Sequence, residues 1–164
     1  MKKPGKTGTA IGYLIDPHAK TITEVQLPMV EGNIPIADIR WHCGCSIMDV
    51  AYIPGIHSRK AGFDLWVDDE GLYRDDQAFF YITHEAGAAF GHRMFAGKCL
   101  VLGTDGHGNT VGTTTDMRSL ARRIVWAHPE EGAKEAQHML DSVSVTSYDS
   151  FDDLLAALHK GGAV

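Results

Sequence analysis

The sequence predicts an α+β fold: a mixed or antiparallel sheet packed against a helix, with a C-terminal helix-strand-helix appendage. Three observations carry this expectation. β-Rich runs at Thr9–Ile15 and Thr21–Leu27 flank Asp16, Pro17, His18, Ala19 and Lys20, and Asp and Pro are strong turn formers, so the chain opens on a hairpin. Lys98–Gly103 and Thr110–Thr113 flank the Gly-rich stretch Asp105–Asn109 and make a second hairpin. Near the C-terminus Phe151, Leu154, Leu155 and Leu158 fall at i, i+3, i+4 and i+7, behind Ser150 as a cap, which is the spacing of an amphipathic helix.

Between these landmarks the elements follow in order. Residues 1–8 read as a flexible arm, 9–128 as the α+β domain and 129–164 as an acidic extension of it. Ile34, Ile36, Ile39 and Trp41 predict a short helix with Asn33 as its cap, Pro35 in its first turn and Gly44 closing it. Ser46–Ile53 is an apolar run that ends at Pro54 and reads as a strand. Pro54–Gly62 is a polar loop. Phe63, Leu65 and Val67 alternate with Asp64 and Trp66, so this segment is a strand, and Asp68–Gly71 turns the chain. Ala78–Ile82 is a short apolar run that fits either element type, and Thr83–Arg93, rich in Gly and Ala, reads as irregular. Thr115 or Asp116 caps a helix over Met117–Ala127, which ends before Pro129 because the residue before proline avoids the α region. Glu130–Leu140 is a second helix, and Val143–Tyr148 alternates as a strand.

The chain has 164 residues, enough for one domain. Fifteen Lys and Arg against 21 Asp and Glu give a formal charge of −6, which disfavours a global electrostatic grip on nucleic acid. The charge is uneven: residues 1–128 carry 13 basic and 14 acidic side chains, and residues 129–164 carry 2 and 7. No apolar run approaches the roughly 18 residues of a transmembrane helix. Pro4 and Gly5 follow Met1, Lys2 and Lys3 where a secretory signal needs an apolar core. Three cysteines, an odd count, favour reduced thiols in a cytoplasmic setting.

Several groupings could carry chemistry. His42, Cys43 and Cys45, with Cys99 as a third sulfur, are weak metal candidates, because the two cysteines are one residue too close for a zinc knuckle and a second knuckle is missing. The expected metal site is therefore none, and no cofactor is expected. His84, Glu85 and His92 suggest a metalloprotease, but Ala88 stands where the second histidine of a helical pair belongs. Asp68, Asp69, Glu70, Asp75 and Asp76 form an acidic cluster that could work in acid–base chemistry, against the simpler reading of a solvated turn. Gly103–Gly108 resembles a phosphate-cradling loop in glycine count, yet a returning strand follows it instead of a helix. No nucleophile motif stands out. The best anion-binding candidates are Arg118, Arg122 and Arg123 on the helix after Thr113–Thr115, joined in space by Arg59, Lys60 and Arg93; the alternative is a solvated face neutralised by the acidic extension.

The segments Leu14–Pro17 with Lys20–Val25, Phe63–Leu72 and Ala96–Asp105 resemble the opening, the central strand and turn, and the later hairpin of the domain of unknown function 3846 family, found in phages, plasmids and bacterial genomes. The resemblance spans about residues 10–115. Where many relatives carry a Pro-x-Asn element, this chain has Asp75, Asp76, Gln77 and Ala78. The resemblance implies an intracellular accessory protein of mobile-element origin and brings no catalytic residue with it. The expected function is a non-enzymatic binding or regulatory protein acting on a protein partner or a small anionic ligand, with self-association through the C-terminal unit as a further expectation. The alternatives are a small metal-assisted hydrolase using His42, His84, His92 or the carboxylates, and a nucleic-acid accessory protein using the arginine helix.

Overall fold

In the computed structural model of the chain, residues 8–54, 62–83 and 93–142 are described. The N-terminal hairpin forms as expected from β1 (Gly8–Asp16) and β2 (Thr21–Met29), paired antiparallel from Gly8 opposite Met29 to Asp16 opposite Thr21. Its turn is held by Asp16, whose Oδ1 accepts from the backbone N–H groups of His18 (3.0 Å) and Ala19 (3.1 Å). This is the local hydrogen bonding that makes Asp a turn former. Helix α1 (Ile36–Cys43) follows, and Gly44 closes it as expected, its N–H donating to the Arg40 carbonyl at 2.8 Å. Asn33 does not cap the helix. Its Oδ1 accepts instead from the Thr110 N–H at 2.7 Å, which ties the approach to α1 onto the later hairpin.

Strands β3 (Met48–Ile53), β4 (Phe63–Asp68), β7 (Cys99–Thr104) and β8 (Thr110–Val111) complete a six-stranded sheet in the order β2-β1-β7-β4-β3, with β8 on β7. Every pairing is antiparallel. The loop before β8 is organised by Asp105, whose Oδ1 accepts from the N–H groups of His107 (2.8 Å) and Asn109 (2.9 Å).

A second sheet was not anticipated from the sequence. After a single 3-10 turn (Gly71–Tyr73), the ambiguous run Ala78–Ile82 becomes strand β5 (Phe79–Ile82), flanked by β6 (Arg93–Ala96) and β9 (Ile124–Trp126) in the order β6-β5-β9. The predicted helix over Met117–Ala127 is correspondingly cut short. Helix α2 covers only Met117–Ala121, and Ile124, Val125 and Trp126 pair with Ile82, Tyr81 and Phe80. Two β-branched residues and an aromatic suit a strand better than a helix, and the open edge of β5 supplies the partner. Asp116 caps α2, accepting from the Ser119 N–H at 2.9 Å. Pro129 does not simply end a helix; it begins α3 (Pro129–Asp141), where a missing N–H costs nothing.

The main sheet is covered on both faces. Ile39 and Cys43 of α1 join Ala10, Leu27, Leu100 and Leu102 on one side. On the other, Ile15, Leu65, Val101 and Phe63 meet Phe80, Ile82 and Phe95 of the second sheet and Leu120 of α2. The far side of the second sheet carries α3, through Phe79, Ala96, Ala127 and Ala136. Gly132 permits that approach, since a Cβ there would run into the Phe79 ring. The layers are therefore α1, main sheet, second sheet, α3. The predicted strand at 143–148 and the helix behind Ser150 lie outside the described residues. No helix among the described residues is long and apolar enough to cross a membrane.

Candidate functional site

Folding takes Arg123 out of the predicted arginine patch. Arg118 and Arg122 are exposed on α2, with Arg122 Nε donating to the Arg118 carbonyl at 3.3 Å. Arg123 is only 4% exposed. Its Nε donates to the Thr83 carbonyl at 2.8 Å, its guanidinium lies 5.6 Å from the centre of the Phe63 ring, and burial lowers its pKa. The helix ends before this residue, so the side chain points into the seam between the sheets. Arg93 begins β6, across β5 from β9, and stacks over Phe95 at 5.4 Å. Arg59 and Lys60 lie outside the described residues, as do His84, Glu85 and His92.

The weak metal candidates are separated too. Cys43 and Cys99 are buried on opposite faces of the main sheet, and Cys45 is half-buried. Burial pushes the Cys43 thiol up to about 12 and the Cys99 thiol well above its ordinary value, so both stay protonated near neutral pH. His42 packs its ring edge-on against Trp41 at 4.8 Å, and burial lowers its pKa against the opposing pull of Asp38. Among the described residues no group of three or more His, Cys, Asp or Glu side chains is placed to hold a metal ion. The Gly-rich loop at 103–108 is filled by the Asp105 carboxylate, which takes the backbone donors a phosphate would need.

What the fold does assemble lies at the end of the main sheet where the β1–β2 turn sits. The acidic segment after β4, the turn between β6 and β7, the end of α1 and the start of α3 converge there. Three grooves result. One of about 350 Å³ runs between His18, Gly44, Asp68, Arg74 and Lys98. One of about 360 Å³ runs between Pro17, Lys20, Phe79, Ala127 and Pro129. The largest, about 550 Å³, separates Leu72–Gln77 from α3. Asp76 and Gln77 line all three.

Gln77 is the hub of this region. Its Nε2 donates to the Gly71 carbonyl at 3.0 Å, and its Oε1 lies 3.3 Å from both His18 Nε2 and the Ala78 N–H. Gly97, at φ +71°, leaves room for it, since a Cβ there would come within 3.1 Å of Gln77 Nε2. Asp76 sits at φ +54°, a conformation unusual for a residue other than glycine, and strain of this kind gathers at functional sites. Two of the nearby cations are engaged: Arg74 Nε lies 2.7 Å from Asp68 Oδ2 and Lys98 Nζ 3.4 Å from Asp16 Oδ2, while Lys20, in the second groove, makes no ion pair among the described residues. Burial pushes the Asp16 carboxyl up, but the Ala19 N–H, the Lys98 ammonium and the His18 N–H together hold it below its ordinary value. Neither Asp75 nor Asp76 makes an ion pair among the described residues.

The family model for the domain of unknown function DUF3846 matches residues 11–125 of the chain. The chain belongs to this family. No curated protein and no solved structure matches it. The DUF3846 match covers the β1–β2 turn, the Asp68–Gln77 segment and Gly97–Lys98, and so the walls of the first groove. Helix α3, which walls the largest groove, lies beyond it.

The acidic cluster was visible in the sequence. His18 and Gln77 were not singled out as site residues; the signal that could have found Gln77 is its place in the segment that stands where many relatives carry Pro-x-Asn. The arrangement offers hydrogen-bond donors, acceptors and both charges on an open surface. It presents no activated nucleophile among the described residues.

Proposed function

We propose that this chain is a non-enzymatic binding protein whose partner is another protein, held at the turn end of the main sheet. The observation that carries the reading is the convergence of three grooves on Asp76 and Gln77, where Gln77 is hydrogen-bonded to His18 and Gly71. Rigid elements presenting mixed charge and an exposed aromatic, Tyr73 at 70% exposure, suit a polypeptide partner. A small anionic ligand is less well served, because Lys20 is the one lysine or arginine lining these grooves without an ion pair among the described residues, Arg74 and Lys98 already face carboxylates, and Arg123 is buried. The hydrolase reading draws on His42, His84, His92 or the carboxylates: His84 and His92 lie outside the described residues, His42 packs against Trp41, and the carboxylates of Asp68, Asp75 and Asp76 line the first groove without belonging to any group placed to hold a metal ion among the described residues. A cytoplasmic accessory role, with a phage or mobile-element origin, belongs to the same proposal.

The test is a photo-crosslinking amino acid placed at Tyr73, or at Glu24 on the outer strand β2, in the chain expressed in its native host. A discrete adduct from position 73, absent from position 24 and lost in Gln77→Ala, supports the reading. Equal adducts from both positions, or none from 73, overturn it.

A further inference from the structure

We infer that the largest groove takes a basic peptide segment anchored by one bulky apolar side chain, an inference that rests on the binding reading above. The lining is mixed: Leu72, Phe79, Ala133, Ala136 and Leu140 supply an apolar strip, and Arg74 to Gln77 with Gln137 supply the polar part. At about 550 Å³ it has room for a large side chain and the backbone that carries it.

The rim decides the partner's charge. Asp75 and Asp76 form one wall. On α3 the lining positions Pro129, Ala133, Ala136, Gln137 and Leu140 make one helical stripe, and Glu130 and Asp141 flank it. Against these carboxylates stand Lys134, on the same helix, Lys20, in the adjoining groove, and Arg74, whose charge is taken by Asp68 at 2.7 Å. The surplus is negative, and a partner that brings cations meets it. The same arithmetic argues against the chain's own residues 143–164, which hold three aspartates and one lysine, and against a second copy, which carries a formal charge of −6.

The test titrates the full chain, labelled with nitrogen-15, with Lys-Lys-Leu-Trp-Lys-Lys and with its acidic counterpart Glu-Glu-Leu-Trp-Glu-Glu, following amide shifts. The basic peptide is expected to shift the amides of Leu72, Tyr73, Asp76, Ala133 and Gln137, and the acidic one to leave them in place. Asp75→Asn combined with Asp76→Asn should weaken the basic peptide at least tenfold with the remaining amides unmoved, because asparagine tolerates the left-handed backbone at 76. Raising the salt should weaken it as well, since exposed charges are screened beyond about 10 Å at 0.1 M.

The inference is overturned if both peptides shift the same amides, if the double variant binds as the parent does, or if the basic peptide shifts nothing. In the last case, Ala133→Gln moving the amides of 143–164 identifies the chain's own C-terminal segment as the occupant. A Tyr73 adduct that persists through such a failure keeps the binding reading and changes only the partner's chemistry; loss of the adduct removes both.

Discussion

Two arginines mark the contrast between the seam joining the sheets and the turn end of the molecule. Arg123 is 4% exposed; among the described residues its Nη2 meets no acceptor, its Nε donates to a carbonyl and its guanidinium faces a phenyl ring. Arg74 has 45% of its side chain exposed and faces the nearly buried carboxylate of Asp68. A cation inside the seam is held by the shape around it; a cation at the turn end is held by a counter-charge. The largest cluster of buried side chains lies at the seam, and polar groups stay exposed at the turn end. A charged residue type says little about its role until its dielectric surroundings are known.

Emptying the seam should have the largest effect. Phe80 is fully buried, 5.7 Å from the Phe95 ring and 6.3 Å from Trp126. Phe80→Ala should cost about 3–5 kcal/mol in chemical denaturation, the range for deleting a buried aromatic. A loss under about 1 kcal/mol would mean the second sheet packs loosely on the first.

The next test separates the arginines that the sequence grouped together. Arg123→Ala should cost about 2–4 kcal/mol, through the lost bond to Thr83 and the space left beside Phe63. Arg118→Ala and Arg122→Ala, on the exposed face of α2, should each stay within about 0.5 kcal/mol. Equal effects at all three positions would erase the distinction drawn here.

The turn end responds most through Asp16. Its carboxyl sits below its ordinary value in the folded chain. Such a group contributes stability that is present above the ordinary pKa of 3.8 and is lost as pH falls through the lower folded value. Asp16→Asn should therefore cost about 1–2 kcal/mol at neutral pH, the worth of charge-assisted hydrogen bonds. It should also flatten the fall in stability below about pH 4. Denaturation curves from pH 2.5 to 7 check both, and an unchanged acid limb would show that the Lys98 pairing and the turn contribute nothing.

Much of the fold was legible where the signal is local. The Asp16–Lys20 turn, the Asp105 loop, the Asp116 cap and the Gly44 stop each satisfy backbone groups within a few residues, so residue identity reveals them. The alternation of Phe63 and Leu65 with Trp66 also matches the two faces β4 covers. The site was less legible. Its hub, Gln77, acts through Gly71, His18 and Gly97, and the contact with His18 spans 59 positions of the chain.

The antiparallel hairpins and their turn chemistry follow from residue identity alone, because periodicity and side-chain-to-backbone bonding act over short stretches. Only the tertiary structure decided that Ile124–Trp126 is a strand and that Arg123 is buried. Met117–Trp126 carries a pattern that suits a helix equally well. The choice is made by the unpaired backbone of β5, which offers hydrogen bonds at Phe80, Tyr81 and Ile82 that a longer helix would leave unmade. Once the chain turns to reach that edge, the residue at the turn has no solvent-facing direction left, and an arginine read as surface charge becomes part of the seam.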